Sequence, residues 1–273
     1  MSIFREGILK TIRKYLIDRN EREYVRLHFK WSKDARYRVR EDVRFLEYSV
    51  TVPDSQTFVG QFEEIFLKES YKFTSPTSEP VIIDCGANIG MSCLYFKRLW
   101  PQSRIIAFEP DLRLFGILGK NLSKNGINDV RLVNEAIWVE NTAIKFSVEG
   151  ADGGSVYGTE HLTEVKAVRL KDLLQSHESV DMLKIDIEGA EDLVVIDCGD
   201  DLRRVRNIFI EYHSWNGKDQ KLGEILSVLE ANGFRYRLES TVRANAPLIY
   251  RTDGSTIDMH VNVYGFRETS AGA

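Results

Sequence analysis

The stretch Val81-Ile82-Ile83-Asp84-Cys85-Gly86-Ala87-Asn88-Ile89-Gly90 constrains this chain more than any other. Its first half is apolar without the polar alternation of a half-exposed strand, and Gly86 and Gly90 bracket a tight turn that opens onto a helical pattern. Strands buried on both faces belong to α/β proteins, where right-handed crossover helices cover a parallel sheet. The chain repeats that texture after Pro80. Strands are predicted over residues 81–85, 104–108, 130–133, 144–148, 182–187, 207–211, 234–238 and 259–266, and helices over 91–99, 112–124 and 221–232. The expected fold is a doubly wound, Rossmann-like α/β sheet, and a length of 273 residues leaves room for one such domain with an appendage.

The residues before Pro80 read differently. Residues 3–30 are predicted helical in one or two pieces, because Phe4, Ile8, Ile12 and Leu16 recur every four residues among Arg and Lys. Residues 1–40 carry 12 Lys and Arg against 5 Asp and Glu, while the remainder carries 25 against 36. Two readings of the basic helix stay open: an apolar stripe laid on the main domain, which we favour, or contact with an anionic membrane surface. Extended chain is predicted from Tyr37 to Val52, a turn at Pro53-Asp54-Ser55, a helix over 58–66, and a linker over 74–80, where two prolines interrupt four hydroxyl residues. The expected organisation is a cap over residues 1–80 and a sheet domain over 81–273. The acidity of the larger part makes nucleic acid an unlikely partner. Cys85, Cys93 and Cys198 sit in apolar runs rather than in a disulfide framework, which favours a reducing, cytoplasmic setting. No apolar run approaches the ~20 residues of a membrane span.

The glycine spacing Gly86-x-Asn88-x-Gly90 is not the Gly-x-Gly-x-x-Gly that seats a pyrophosphate. Asp84, at the mouth of the turn, repels a diphosphate and suits an ammonium group. Glu109 follows Gly90 by 19 residues at the end of the second strand, where an acid accepts both ribose hydroxyls. With Gly86, Ala87, Asn88 and Gly90 forming the turn, these residues describe a pocket for a nucleoside with a cationic amino-acid tail, the chemistry of S-adenosylmethionine. Glu135 and Ala136, after the third strand, are placed to meet an adenine through the Glu135 carboxylate and the Ala136 backbone.

A second cluster follows. In Leu183-Lys184-Ile185-Asp186-Ile187-Glu188-Gly189-Ala190-Glu191, the charges Lys184, Asp186 and Glu188 alternate onto one face if the strand continues, and Gly189 breaks it at the ligand-binding edge. Charges on a buried strand must be paired or liganded. The segment Ile208-Phe209-Ile210-Glu211-Tyr212-His213 runs into its exit loop and brings Glu211 and His213 to the same edge. Two functional readings stay open. Asp186 and Glu211 hold a divalent cation such as Mg²⁺, with Glu188 or His213 as further ligands; or Asp186, Glu211 and His213 serve as base and orienting groups around a substrate hydroxyl. Gly153-Gly154-Ser155 suits a lid, and Tyr157 and Trp215 suit the wall of an acceptor pocket.

The motifs Ile83-Asp84-Cys85-Gly86-Ala87-Asn88-Ile89-Gly90, Phe108-Glu109-Pro110, Lys184-Ile185-Asp186-Ile187-Glu188-Gly189-Ala190-Glu191 and Ile210-Glu211-Tyr212-His213, with the upstream Phe62-Glu63-Glu64-Ile65-Phe66 and Tyr71, resemble the FkbM family of S-adenosylmethionine-dependent methyltransferases. The resemblance spans roughly residues 45–240. It implies a class I methyltransferase sheet and methyl transfer to oxygen, on a hydroxyl of a sugar, glycan, polyketide or other secondary metabolite. A nicotinamide oxidoreductase would want the other glycine spacing and no acid at Asp84. A non-catalytic partner-binding module is disfavoured because the acids of both clusters are present. Nucleic-acid methylation lacks an Asn-Pro-Pro-Tyr-type motif for bases.

Overall fold

Most of the apolar runs after Pro80 assemble into one seven-stranded sheet, three further strands form a smaller sheet, and the residues before Pro80 form a separate layer on one face of the larger sheet. The structure, a computed structural model, describes residues 18–147, 162–240 and 257–267. Helix α1 (Arg19–Trp31) starts where Asp18 accepts from the backbone N–H of Asn20 at 2.8 Å and of Glu21 at 3.3 Å. The predicted helical positions Phe4 to Leu16 lie outside the described residues. Strands β1 (Arg40–Phe45) and β2 (Tyr48–Val52) pair as an antiparallel hairpin. Helix α2 (Ser55–Phe62) begins earlier than the apolar spacing predicts, because Asp54, expected in a turn, caps it by accepting from Gln56 and Thr57 N–H at 3.0 and 2.9 Å. It widens into a π-helical turn over Glu63–Leu67. Phe45 meets Phe58, Phe62 and Phe66 edge-on at 5.4, 5.9 and 5.3 Å, and Phe66 meets Tyr95 at 5.3 Å, so the cap shares its core with the sheet domain.

The sheet domain continues with β3 (Val81–Cys85), α3 (Met91–Leu99), β4 (Arg104–Phe108), α4 (Leu112–Lys124), β5 (Val130–Val133), β6 (Ala136–Trp138), β7 (Thr142–Ser147), β8 (Leu162–Arg169), α5 (Leu170–Gln175), β9 (Val180–Ile185), α6 (Glu191–Cys198), β10 (Val205–Trp215), α7 (Leu222–Ala231), β11 (Arg235–Ser240) and β12 (Ile257–Phe266). The main sheet has the order β11-β12-β10-β9-β3-β4-β5. It is parallel from β10 to β5, and β12 runs antiparallel to both neighbours. Successive residues face opposite layers: Ile82, Met182 and Phe209 pack with the cap, α3 and α4, while Ile83, Leu183 and Ile208 pack with α5, α6 and α7. The chain winds from β3 outward to β5 and then returns to β9 on the other side of β3. That switch point leaves a crevice at the C-terminal ends of β3 and β9. Several elements differ from expectation: β9 ends at Ile185 rather than residue 187, β10 runs on through Trp215 rather than stopping at residue 211, and β6, β8, α5 and α6 are elements that the apolar spacing does not announce.

The edge of that crevice is fastened by one buried cation. Asp84 and Lys184 are register neighbours on β3 and β9. Lys184 is 2% exposed; its Nζ donates to the Gly86 carbonyl at 2.7 Å and lies 3.4 Å from Asp84 and 3.2 Å from Asp186. Burial alone would lower its pKa, but Asp186 and Asp84 hold it well above the ordinary lysine value. Gly86 has a φ of +86°, and a Cβ there would stand 1.8 Å from the Asp186 carbonyl oxygen. The close approach that demands glycine is therefore made to the neighbouring strand's exit. At Gly90, with a φ of +92°, a Cβ would stand 2.7 Å from Leu118 Cδ1, which seats α4 against the turn.

Gly86→Ala is expected to destabilise the protein by about 3 kcal/mol or more, since both backbone and carbonyl must move. Gly116→Ala, in α4 with open space around it, is expected to stabilise by about 0.5–1 kcal/mol. Lys184→Met strands two carboxylates and is expected to cost about 3–5 kcal/mol, part of which the further change Asp84→Asn restores. Guanidinium unfolding of the four variants checks all three signs; a Gly86→Ala protein as stable as the parent would remove the steric argument.

Candidate active site

The crevice opens into a cavity of about 760 Å³. One side is built by the exits of β3, β4 and β5. Gly86, Ala87 and Asn88 line it, and the Gly86 and Ala87 N–H groups donate to the Phe108 carbonyl at 3.0 and 2.8 Å, which holds the turn against β4. Glu109 lines the cavity while accepting from the backbone N–H of Asn88 and of Asp111, both at 2.9 Å. Burial pushes its pKa up to about 7, with those two N–H groups opposing the rise. Asn134 donates to the carbonyls of Glu109 and Pro110 at 2.9 and 3.1 Å and so ties the exit of β5 to that of β4, which brings Glu135 and Ala136 to the cavity wall.

Two residues expected on this side lie elsewhere. Asp84 is fully buried and does not line the cavity; its carboxylate accepts from the Ser92 hydroxyl and the Cys93 thiol, and the ammonium group it faces is that of Lys184. Its role is to anchor the turn from behind. Gly90 does not line the cavity either and acts through its contact with Leu118.

The other side is built by β9, β10 and β12. Past Ile185 the chain leaves the strand, with Glu188 at a φ of +60° and Gly189 at +112°, so the expected alternation of Asp186 and Glu188 along a continuing strand does not occur. Both side chains nevertheless reach the cavity. Glu191, at the start of α6, locks this loop: fully buried, it accepts from the N–H groups of Ile187 at 3.1 Å and Gly189 at 3.0 Å, and it lies 3.2 Å from His213 Nδ1. His213 sits inside β10 rather than in an exit loop, because β12 pairs along the strand and sets His260 opposite it. The other face of the His213 ring has Glu188 3.6 Å from Nε2. Burial works against charge on His213, but Glu191 and Glu188 override it and hold its pKa well above the ordinary histidine value. The ring is held between the Glu191 and Glu188 carboxylates, which suits it to an orienting role. Burial raises the pKa of Glu188 and, with the neighbouring Asp186 charge, of Glu211; His213 and His260 oppose these rises.

Ligand atoms of Asp186, Glu188 and His213 lie within 4.8 Å of one another, and so do those of Glu211, His213 and His260. Asp186 and Glu211, expected to share a cation, therefore belong to different groups with His213 in common. His260, which contacts Glu211, was not singled out by its sequence, although the alternation His260, Asn262 in an otherwise apolar strand was the signal available. The cap contributes Gln61 and Glu64 to the wall, and Asn262 donates to Glu64 at 3.0 Å. Trp215 lines the cavity as expected. Gly153-Gly154-Ser155 and Tyr157 lie outside the described residues.

Residues 84–236 match the family model of the methyltransferase FkbM domain. The chain is 30% identical over 217 residues to methyltransferase sdnD of Sordaria araneosa, an alignment that covers 63% of this chain and 80% of that one. It is 29% identical over 168 residues to 2-O-methyltransferase NoeI of Sinorhizobium fredii, covering 54% and 66%. Against 31-O-demethyl-FK506 methyltransferase FkbM of Streptomyces tacrolimicus it is 25% identical over 211 residues, covering 63% and 80%. The matched span starts at Asp84 behind the glycine turn and contains both acidic segments that face the cavity, Asp186–Glu188 past β9 and Glu211–His213 within β10. The chain belongs to the FkbM family of methyltransferases.

Proposed function

We propose that the protein transfers the methyl group of S-adenosylmethionine to a hydroxyl of a sugar, glycan or secondary metabolite. The observation that carries this reading is the single cavity with a bare glycine turn and the Glu109 carboxylate on one side and the Asp186 carboxylate on the other. The donor-side chemistry fits the cofactor: Glu109 and Glu135 suit a molecule with hydroxyl and amine donors and positive charge, and they repel a dinucleotide. When bound, S-adenosylmethionine supplies an electrophilic methyl carbon, attacked in line by the acceptor oxygen. Glu109 retains lone pairs for the two ribose hydroxyls, Glu135 accepts from the exocyclic amine, and the Ala136 backbone meets the ring. Asp186 takes the proton of the acceptor hydroxyl, an alcohol being a weak nucleophile at neutral pH. Lys184 holds Asp186 in place; Glu188, Glu211 and His213 orient the acceptor. The names of NoeI and FkbM, both O-methyltransferases by their descriptions, support oxygen as the target.

We also assign the protein to the reducing cytoplasm, supported by three buried free cysteines. Among the described residues no helix is long and apolar enough to cross a membrane. Helix α1 lies on the cap, with Leu27 fully buried and the Tyr24 hydroxyl donating to Glu63 at 2.8 Å, which supports the domain-packing reading of the basic segment over a membrane one.

Asp186→Asn is expected to leave S-adenosylmethionine affinity within a few-fold while lowering turnover about 100-fold, the scale of a lost general base. Calorimetry and a methyl-transfer screen over glycans and hydroxylated metabolites test this; near-normal turnover would take the base role from Asp186. Donor binding should also carry the Glu109 titration. The ionised carboxylate is the form that accepts two hydroxyls, so affinity should fall about tenfold from pH 8 to pH 6, through the pKa of about 7. In Glu109→Gln the affinity should be lower and flat over that range.

A further inference from the structure

We propose that Glu211, His213 and His260 form a binding site for a divalent first-row transition-metal ion. The pairing of β10 with β12 builds the ligand set. His213 and His260 are directly opposite in the antiparallel register, and Glu211 precedes His213 by two residues and so shares its face of the sheet. The two imidazole rings stand 4.4 Å apart at 33°, and ligand atoms of the three residues fall within 4.8 Å of one another. Two imidazoles and a carboxylate on one face of a rigid ladder are the facial arrangement that suits Mn²⁺, Fe²⁺, Co²⁺ or Zn²⁺. Mg²⁺, expected from Asp186 and Glu211, prefers an all-oxygen shell and is a poorer match for this set.

A second observation is independent of the cluster's geometry. Behind His213 stands Glu191, which is fully buried, held by the Ile187 and Gly189 N–H groups, and 3.2 Å from Nδ1. A carboxylate fixed behind one imidazole nitrogen places the proton there and turns the other toward the cavity, which is the outer-shell arrangement of metal-bound histidines. Nε2 of His213 faces Glu188 at 3.6 Å, which gives an ion a further carboxylate, and His260 and Glu211 line the same cavity. Glu211, His213 and His260 line the same cavity as Asp186, so an ion held there would stand beside the space assigned to the acceptor. Its role there, lowering the pKa of the acceptor hydroxyl so that Asp186 removes the proton more readily, rests on the methyl-transfer reading; the binding itself does not.

The experiment uses the full chain, free of any affinity tag and freed of metal by chelator, titrated with Co²⁺ while its visible absorption is recorded. S-adenosylmethionine affinity is measured on the same preparation. One Co²⁺ per chain is expected, displaced by Zn²⁺ and not by millimolar Mg²⁺. His260→Ala and Glu211→Gln should weaken Co²⁺ binding 10–100-fold, and so should Glu191→Gln through the His213 ring, whereas Asp186→Asn should leave it within a few-fold. Thermal melts of each variant show whether it is folded, and the melting temperature of the parent should rise with Co²⁺ while that of His260→Ala does not. The proposal fails if no saturable cobalt spectrum develops at millimolar Co²⁺, if folded His260→Ala binds as tightly as the parent, or if Asp186→Asn loses as much as His260→Ala. Loss of the cobalt site with S-adenosylmethionine binding and methyl transfer intact overturns this site alone, and absent S-adenosylmethionine binding overturns the methyl-transfer reading whatever cobalt does.

Discussion

Lys184 lies where β3 and β9 run side by side, out of reach of water, and an ammonium group stays ionised there only with counter-charges on hand. Asp84 supplies one from β3 and Asp186 another from the exit of β9, while the Gly86 carbonyl accepts a third contact. Because the two carboxylates refer to the same cation, the glycine turn and the Asp186 carboxylate across the cavity are held at a fixed separation by strand pairing rather than by loop conformation. Gly86 closes the arrangement, since its bare Cα lets the Asp186 carbonyl approach where any side chain would collide. Methyl transfer depends on in-line alignment of donor and acceptor, so rigidity at this point bears directly on rate.

The strands around that point were legible in the sequence because burial on both faces erases polar alternation; Val81–Cys85 and Arg104–Phe108 have the bounds that their apolar runs predict. Helix α6 was not legible for a related reason. Glu191–Cys198 is buried almost all round and rich in β-branched residues, so it shows no amphipathic stripe from which a helical period emerges. Asp84 shows a different limit: position along the chain places it at a ligand-binding strand end, but the period of two sends its side chain toward Ser92 and Cys93 instead of into the cavity. Nor does local sequence say that β10 continues past residue 211. That extension comes from pairing with β12, more than forty residues on in the chain, and with it came His260 and the placement of His213 inside the strand.

The acceptor side holds three carboxylates, Asp186, Glu188 and Glu211, against Lys184, His213 and His260. Burial and the repulsion between these carboxylates raise the pKa values of Glu188 and Glu211, and His213 opposes the rise. Such a wall favours a cationic cofactor and a ligand without negative charge of its own. It also explains why Glu191 is kept fully buried: with two backbone N–H groups and the His213 ring to neutralise it, Glu191 orients the imidazole without adding to the charge that faces the cavity.

The family match ends at residue 236, yet part of the acceptor wall lies beyond both of its ends. Gln61 and Glu64 come from the cap, and His260 and Asn262 come from β12; Glu64 and Asn262 are joined by a hydrogen bond of 3.0 Å, so the two segments meet over the cavity. The donor turn, Glu109, Asp186 and His213 all fall inside the matched span. Within one chain, then, the glycine turn, Glu109 and Asp186 are carried by the matched core, while Gln61, Glu64, His260 and Asn262 are carried by the cap and by β12. The cap and β12 meet the core through contacts that include Phe66–Tyr95, Tyr71–Phe209 and the β10 ladder. This part of the cavity wall is accordingly carried by residues outside the span that the family model matches.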